Sequence, residues 1–159
     1  VEYYGNPREQ QLDFQGVYRL EPDGAGPQLL VSDFDQPNGL TLSQDASQLY
    51  INDTPNAHIR VFDVAADGSL SGGDVWADVT GDGEGNTDGL TFDSAGNLFT
   101  TGPAGIHVFA PDATSLGVLH VPEGAANFTW GDDDLQTLYI TASTSLYRTR
   151  VKVPGRTLI

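Results

Sequence analysis

The chain has 159 residues and carries 22 acidic side chains against 7 basic ones, a formal net charge of −15 with His neutral. A field of that sign repels nucleic acid and anionic membrane surfaces, so neither is expected as a partner. Cys is absent, which excludes disulfides and thiolate metal sites, and no run of 18 apolar residues offers a transmembrane helix.

The opening stretch, Val1-Glu2-Tyr3-Tyr4-Gly5-Asn6-Pro7, has neither the basic start nor the apolar core of a signal peptide, and no Met. It reads as a processed or truncated start. From there the pattern is strand-like, with no convincing helix. Short apolar or β-branched runs fall at Gly16–Leu20, Gln28–Ser32, Gly39–Leu42, Leu49–Asn52, Ile59–Val64, Asp74–Val79 and Gly89–Phe92. They continue at Leu98–Thr101, Ile106–Phe109, Gly117–Val121, Asn127–Trp130, Thr137–Thr141 and Ser145–Val151. Gly, Pro, Asp and Asn separate them, which predicts an all-β chain. Of the 22 acids 17 are Asp, many of them beside Gly in the separators, so much of the charge is turn chemistry on a solvated surface.

One short pattern occurs three times: Pro37-Asn38-Gly39-Leu40-Thr41-Leu42, Thr87-Asp88-Gly89-Leu90-Thr91-Phe92 and Ala126-Asn127-Phe128-Thr129-Trp130. Asn38 and Asp88 are 50 residues apart, Asp88 and Asn127 39. Each copy is followed by a polar turn and two further strands. Strand repeats of this length point to propeller blades. The blades divide as residues 36–84 and 85–123, with 1–35 the end of a preceding blade and 124–159 a partial closing one. Around a common axis Asn38, Asp88 and Asn127 converge, and oxygen-bearing side chains at one point suit a hard cation. On the dipeptides alone, Asn-Gly and Asp-Gly are equally turn signals, and their equivalence within the repeat favours the axis.

The order Phe14–Leu20, Gln36-Pro37-Asn38-Gly39-Leu40-Thr41-Leu42-Ser43, Leu49-Tyr50-Ile51-Asn52-Asp53-Thr54, Arg60–Asp63, Thr87–Leu90, Gly96–Leu98 and Thr137–Ala142 resembles the gluconolactonase/regucalcin (SMP-30-like) family of six-bladed β-propellers. The match corresponds to the C-terminal half of that family's chain, about three to four blades of an open ring. The resemblance implies a metal-dependent lactone hydrolase. It implies a divalent cation, Ca²⁺ foremost with Zn²⁺ or Mg²⁺ as alternatives, held by Asn38 and Asp88. A family Glu ligand would lie in the missing half. Asp88 would also serve as the catalytic carboxylate, and Asp53 and Asn127 would assist a small lactone substrate, Asp53 directly or from behind the ligands. Two or three blades short of closure, the ring calls for a second chain: a copy of itself or the missing N-terminal half. Two other readings stay open, a non-catalytic or truncated propeller piece used for binding or assembly, and a phosphotriesterase-like activity at the same metal.

Other motifs carry less. Asp82–Asp88 departs from a calcium-binding loop, with Thr87 where Gly is required and Asp93 in place of the closing Glu. His58, His107 and His120 share no ligand spacing and read as structural. Asn52-Asp53-Thr54 and Asn127-Phe128-Thr129 match a glycosylation triplet, a short and weak signal. No Gly-x-Ser-x-Gly elbow supports serine catalysis. Trp76 and Trp130, with Tyr50, Phe62, Phe92 and Phe109, are expected between blades.

Overall fold

The structure, a computed structural model, describes residues 9–157. The expected processed start at Val1–Pro7 lies outside them. Among the described residues there is no helix, and thirteen strands form four antiparallel sheets. The first sheet pairs β1 (Gln15–Leu20) with β2 (Pro27–Phe34). The second runs in order β3 (Pro37–Leu42), β4 (Gln48–Asp53), β5 (His58–Val64) and β6 (Leu70–Asp78). The third repeats that order with β7 (Leu90–Phe92), β8 (Leu98–Gly102), β9 (Gly105–Phe109) and β10 (Ser115–His120). The fourth has three strands, β11 (Ala125–Gly131), β12 (Thr137–Ala142) and β13 (Leu146–Arg150). The sheets are blades and partial blades of a propeller, and they do not close into a ring.

The turns explain why Asp is so frequent. Asp45, Asp67, Asp112 and Asp134 each accept the backbone N–H two residues on, from Ser47, Ser69, Thr114 and Gln136, at 2.9–3.1 Å. A carboxylate oxygen here stands in for a backbone carbonyl and closes a tight turn. The intervening residue takes the left-handed conformation, at φ 57° for Ala46, 78° for Gly68, 68° for Ala113 and 50° for Leu135. Three of those four are not Gly, so the carboxylate bonds hold backbone that costs energy on its own.

Sheet stacks on sheet, and each interface buries one apolar cluster. Val17 and Phe34 of the first sheet meet Leu49, Ile51 and Phe62 of the second. Tyr50, Ile59 and Ala77 of the second, with Val79 just beyond it, meet Leu90, Phe92, Leu98 and Phe109 of the third. Phe99 and Ile106, with Val121 just beyond β10, meet Ala125, Phe128, Leu138 and Ile140 of the fourth. The central strands of the middle sheets are covered on both faces, which is why β4 and β8 are buried along almost their whole length rather than at alternate residues. The aromatic side chains stand edge to face, Tyr50 at 5.2 Å from Trp76 and 5.1 Å from Phe92, and Trp76 at 5.8 Å from Phe109.

Leu98 is fully buried between the second and third sheets. Leu98→Ala should lower the unfolding free energy by about 2–5 kcal/mol, read from urea denaturation, because the stacked sheets collapse only partly into the gap. A second prediction concerns Glu123, which holds the turn between β12 and β13. It accepts from Ser145 Oγ at 2.7 Å, the Thr144 N–H at 2.7 Å and Tyr147 OH at 2.8 Å. These donors, Ser145 first, lower its pKa from 4.5 to about 2. A lowered pKa means stabilisation that is complete above the unfolded value and lost as pH falls through the folded one. Exchange of the Thr144 amide should therefore accelerate as pH drops from about 4.5 towards 2 relative to Glu123→Gln, which lacks the titration.

Candidate functional site

The site lies at the end of the stack where the inner strands β3, β7 and β11 begin. Neighbouring sheets share no ladder, so side chains and close backbone contacts must join them. The central joint is Asn52, fully buried at the end of β4. Its Oδ1 accepts the Gly39 N–H at 2.8 Å, and its Nδ2 donates to the Asp88 carbonyl at 2.8 Å. One amide thus ties the second sheet's inner strand to the third's. The approach is close enough that a Cβ on Gly39 would collide with the Asp88 carbonyl oxygen. Gly39 is required there for contact distance.

Threonines complete the joint. Thr54 Oγ1 donates to the Thr87 carbonyl at 2.8 Å, and Thr87 Oγ1 donates to the Asp53 carbonyl at 3.2 Å. The Asp88 N–H donates to Thr101 Oγ1 at 2.9 Å, which in turn donates to the Asn86 carbonyl at 3.0 Å. Towards the fourth sheet, the Gly89 N–H donates to the Ala126 carbonyl at 2.9 Å. The backbone of Asp88 is thereby held from both sides.

The three repeat positions come together in that frame. Asn38 is exposed, and its Nδ2 donates to Thr54 Oγ1 at 3.2 Å and reaches the Thr87 carbonyl at 3.5 Å. The Thr54 hydroxyl hydrogen is already given to Thr87, so both neighbours can only accept. The amide is oriented by that requirement, and its Oδ1 is left free. Asp88 is partly buried, and among the described residues no donor reaches its carboxylate. Burial without a partner raises its pKa above the ordinary 3.8. Asn127 is exposed and turns Oδ1 back to the Phe128 N–H at 2.8 Å, which leaves Nδ2 as a free donor. It packs where Gly89 lacks a side chain, since a Cβ there would stand 2.6 Å from Asn127 Oδ1.

Asp53 is placed differently. It is 2% exposed, and its two oxygens accept the N–H groups of Asp35 at 3.0 Å and Gln36 at 2.9 Å and Asn56 Nδ2 at 3.0 Å. Its carboxylate is spent on the loop from β2 to β3, and it reaches the site through its backbone carbonyl on Thr87. His107 is buried, with Nε2 2.9 Å from the Pro103 carbonyl oxygen. Among the described residues no three of His, Cys, Asp and Glu gather as a metal cluster. The residues present fit part of a hard cation's shell: Asp88 offers a desolvated carboxylate without a donor, and Asn38, whose amide reaches the carbonyl of the preceding Thr87, offers an oriented amide oxygen.

Asn52 was not singled out from the sequence as a site residue, nor were Thr87 and Thr101. A signal existed for Asn52. It is the one carboxamide in Leu49-Tyr50-Ile51-Asn52, a run buried on both faces, and a buried amide demands partners.

The model of the SMP-30/Gluconolactonase/LRE-like region matches residues 3–144. A gluconolactonase of Zymomonas mobilis is 33% identical over 154 residues, covering 91% of this chain and 43% of that protein. A 6-deoxy-6-sulfogluconolactonase of Pseudomonas putida is 30% identical over 146 residues, covering 80% and 50%. The solved structure of a gluconolactonase from Xanthomonas campestris superposes with a TM-score of 0.79 at 34% identity, covering 94% of this chain and 48% of that one. The chain spans about half the length of the relatives it matches. On the extent of the family match and the four stacked sheets, the chain belongs to the SMP-30/gluconolactonase/LRE-like family.

Proposed function

We propose that the chain supplies part of the site of a metal-dependent lactone hydrolase acting on a sugar lactone of the gluconolactone type. The observation that carries this reading is Asp88, a desolvated carboxylate that no donor among the described residues reaches, one residue along from the Thr87 carbonyl that the Asn38 amide faces. Family membership supports the substrate class.

In this reading Asn38 Oδ1 and the Asp88 carboxylate hold a divalent cation, Ca²⁺ before Zn²⁺ or Mg²⁺, since both donors are oxygens. Such a cation, when bound, polarises a carbonyl and makes water more acidic. Asp88 is the group placed to take a proton from the attacking water, and its raised pKa brings it nearer to the range where a carboxylate base works. Asn127 Nδ2 offers a hydrogen bond to a substrate oxygen. Asp53 acts one step back, by holding the β2–β3 loop and Thr87. A hard cation takes six to eight oxygens, so water, substrate and chain from outside these residues supply the remainder. The open sheets fit that need: two strands in the first and three in the fourth leave edges for a second copy or for the other half of a full-length protein.

Calorimetric titration of the folded chain with Ca²⁺, Zn²⁺ and Mg²⁺ should show saturable binding to at least one, and Asp88→Ala should abolish it. No saturable binding to a folded sample would overturn the metal assignment. In protein with a completed ring, Asn127→Ala should raise KM for gluconolactone about 5- to 30-fold with a smaller change in kcat. Loss of one substrate hydrogen bond costs about 1–2 kcal/mol, and this one is made in the ground state as well as in the transition state.

A further inference from the structure

The segment after β13 does not add a fourth strand to its sheet. It turns and runs across the far ends of the inner strands, opposite Asn38, Asp88 and Asn127. The Val151 N–H donates to the Gln136 carbonyl at 2.9 Å, and Gln136 Nε2 donates to the Lys152 carbonyl at 3.1 Å. The Gly155 N–H donates to the Leu135 carbonyl at 2.8 Å, which fixes the segment to the fourth sheet. The Ser94 N–H donates to the Pro154 carbonyl at 2.9 Å, and Gly155 bridges to Asp93, which fixes it to the third. Arg156 then reaches the second: Nη1 donates to the Leu42 carbonyl at 2.8 Å and Nη2 to Thr41 Oγ1 at 3.0 Å. Its guanidinium lies 5.6 Å from the centre of the Phe92 ring, on the third sheet. Gly155 is pressed against the Trp130 ring, where a Cβ would collide with the indole.

We propose that Arg156 is a positioning residue for the Asn38–Asp88 pair. Inner strands β3 and β7 belong to different sheets and share no ladder. Asn52 joins them at the site end, through Gly39 and Asp88. A joint at one end leaves two strands free to splay. Arg156 supplies the second joint, on Leu42 and Thr41 at the other end of β3 and over Phe92 at the other end of β7. Fixed at both ends, the strands keep their spacing, and with it the placement of Asn38 on β3 relative to Asp88 at the head of β7. A guanidinium suits this task because its planar fork meets a carbonyl, a hydroxyl and a ring face at once, which an ammonium cannot do. The link between this placement and catalysis rests on the metal site proposed above. The placement itself does not.

Amide exchange of the full chain tests it, with the Gly39 and Asp88 amides as reporters of the site joint and the Leu98 and Ile106 amides as reporters of global opening. Arg156→Ala should accelerate Gly39 and Asp88 by about tenfold, the fold-change for the loss of about 1.4 kcal/mol, a size expected of hydrogen bonds to a charged donor. Leu98 and Ile106 should change much less. Arg156→Lys should restore only part of the protection. Thr41→Val, which removes one acceptor and keeps the shape, should give a smaller shift in the same direction and serves if Arg156→Ala does not fold. Unchanged Gly39 and Asp88 rates would overturn the proposal, as would equal acceleration at all four amides, which marks a purely structural role. A chain that shows the selective acceleration but binds no cation would uphold the positioning and overturn the metal assignment.

Discussion

The bond pair made by Asn52 governs the geometry of this molecule. Propeller blades pack face to face through side chains, and apolar packing is short-ranged but weakly directional. It can set a stack of sheets without setting the register of one inner strand against the next. A buried carboxamide adds the missing specification. Its oxygen and nitrogen both need partners, and leaving either unmatched costs about 1–3 kcal/mol. Gly39 N–H and the Asp88 carbonyl satisfy both only at one offset of β3 against β7. The glycine is the other half of the same constraint, because any side chain at position 39 would occupy the space of the Asp88 carbonyl.

The chemistry of the site follows from that offset. Packing β7 between two sheets desolvates Asp88, and the hydrogen bonds of its neighbourhood all go to its backbone. The carboxylate is left without a donor, and its charge is costly there until a cation or a proton offsets it. The net charge of −15 acts in the same direction, since an acidic surface concentrates cations near it. The turn carboxylates of Asp45, Asp67, Asp112 and Asp134 do not compete at the site, because each is engaged by its own turn.

The strands and their order were legible in the sequence because each apolar run is short and punctuated, and all thirteen predicted runs overlap the observed strands. The repeat also marked equivalent places near the starts of the inner strands, with Asn38 in β3, Asp88 just before β7 and Asn127 in β11. The roles of the polar residues behind them were not legible. Asp53 was expected near the substrate, and only the three-dimensional course of the β2–β3 loop shows its oxygens taken by Asp35, Gln36 and Asn56. Arg156 gave no signal at all. Its partners, Thr41 and Leu42, lie more than 110 residues away in sequence, and nothing local in Val151–Arg156 marks a crossing of three sheets.

An open ring still preorganises part of a site, for a reason that lies in where the openings are. The residues proposed to hold cation and substrate sit on the second, third and fourth sheets, which are contiguous and enclose two of the three apolar clusters. Their mutual placement is set by interfaces wholly inside the chain, by Asn52 between the second and third sheets and by Gly89 on Ala126 between the third and fourth. The sheets at the two ends of the stack are the first and the fourth, with two and three strands where the middle sheets have four. On the proposed reading, a partner that completes the ring adds donors facing a frame already built, and need not rearrange Asn38 and Asp88 to do so. In the reading proposed above, preorganisation of this kind lowers the entropic cost of assembling a cation's coordination shell, because only the donors from outside the chain remain to be brought to position.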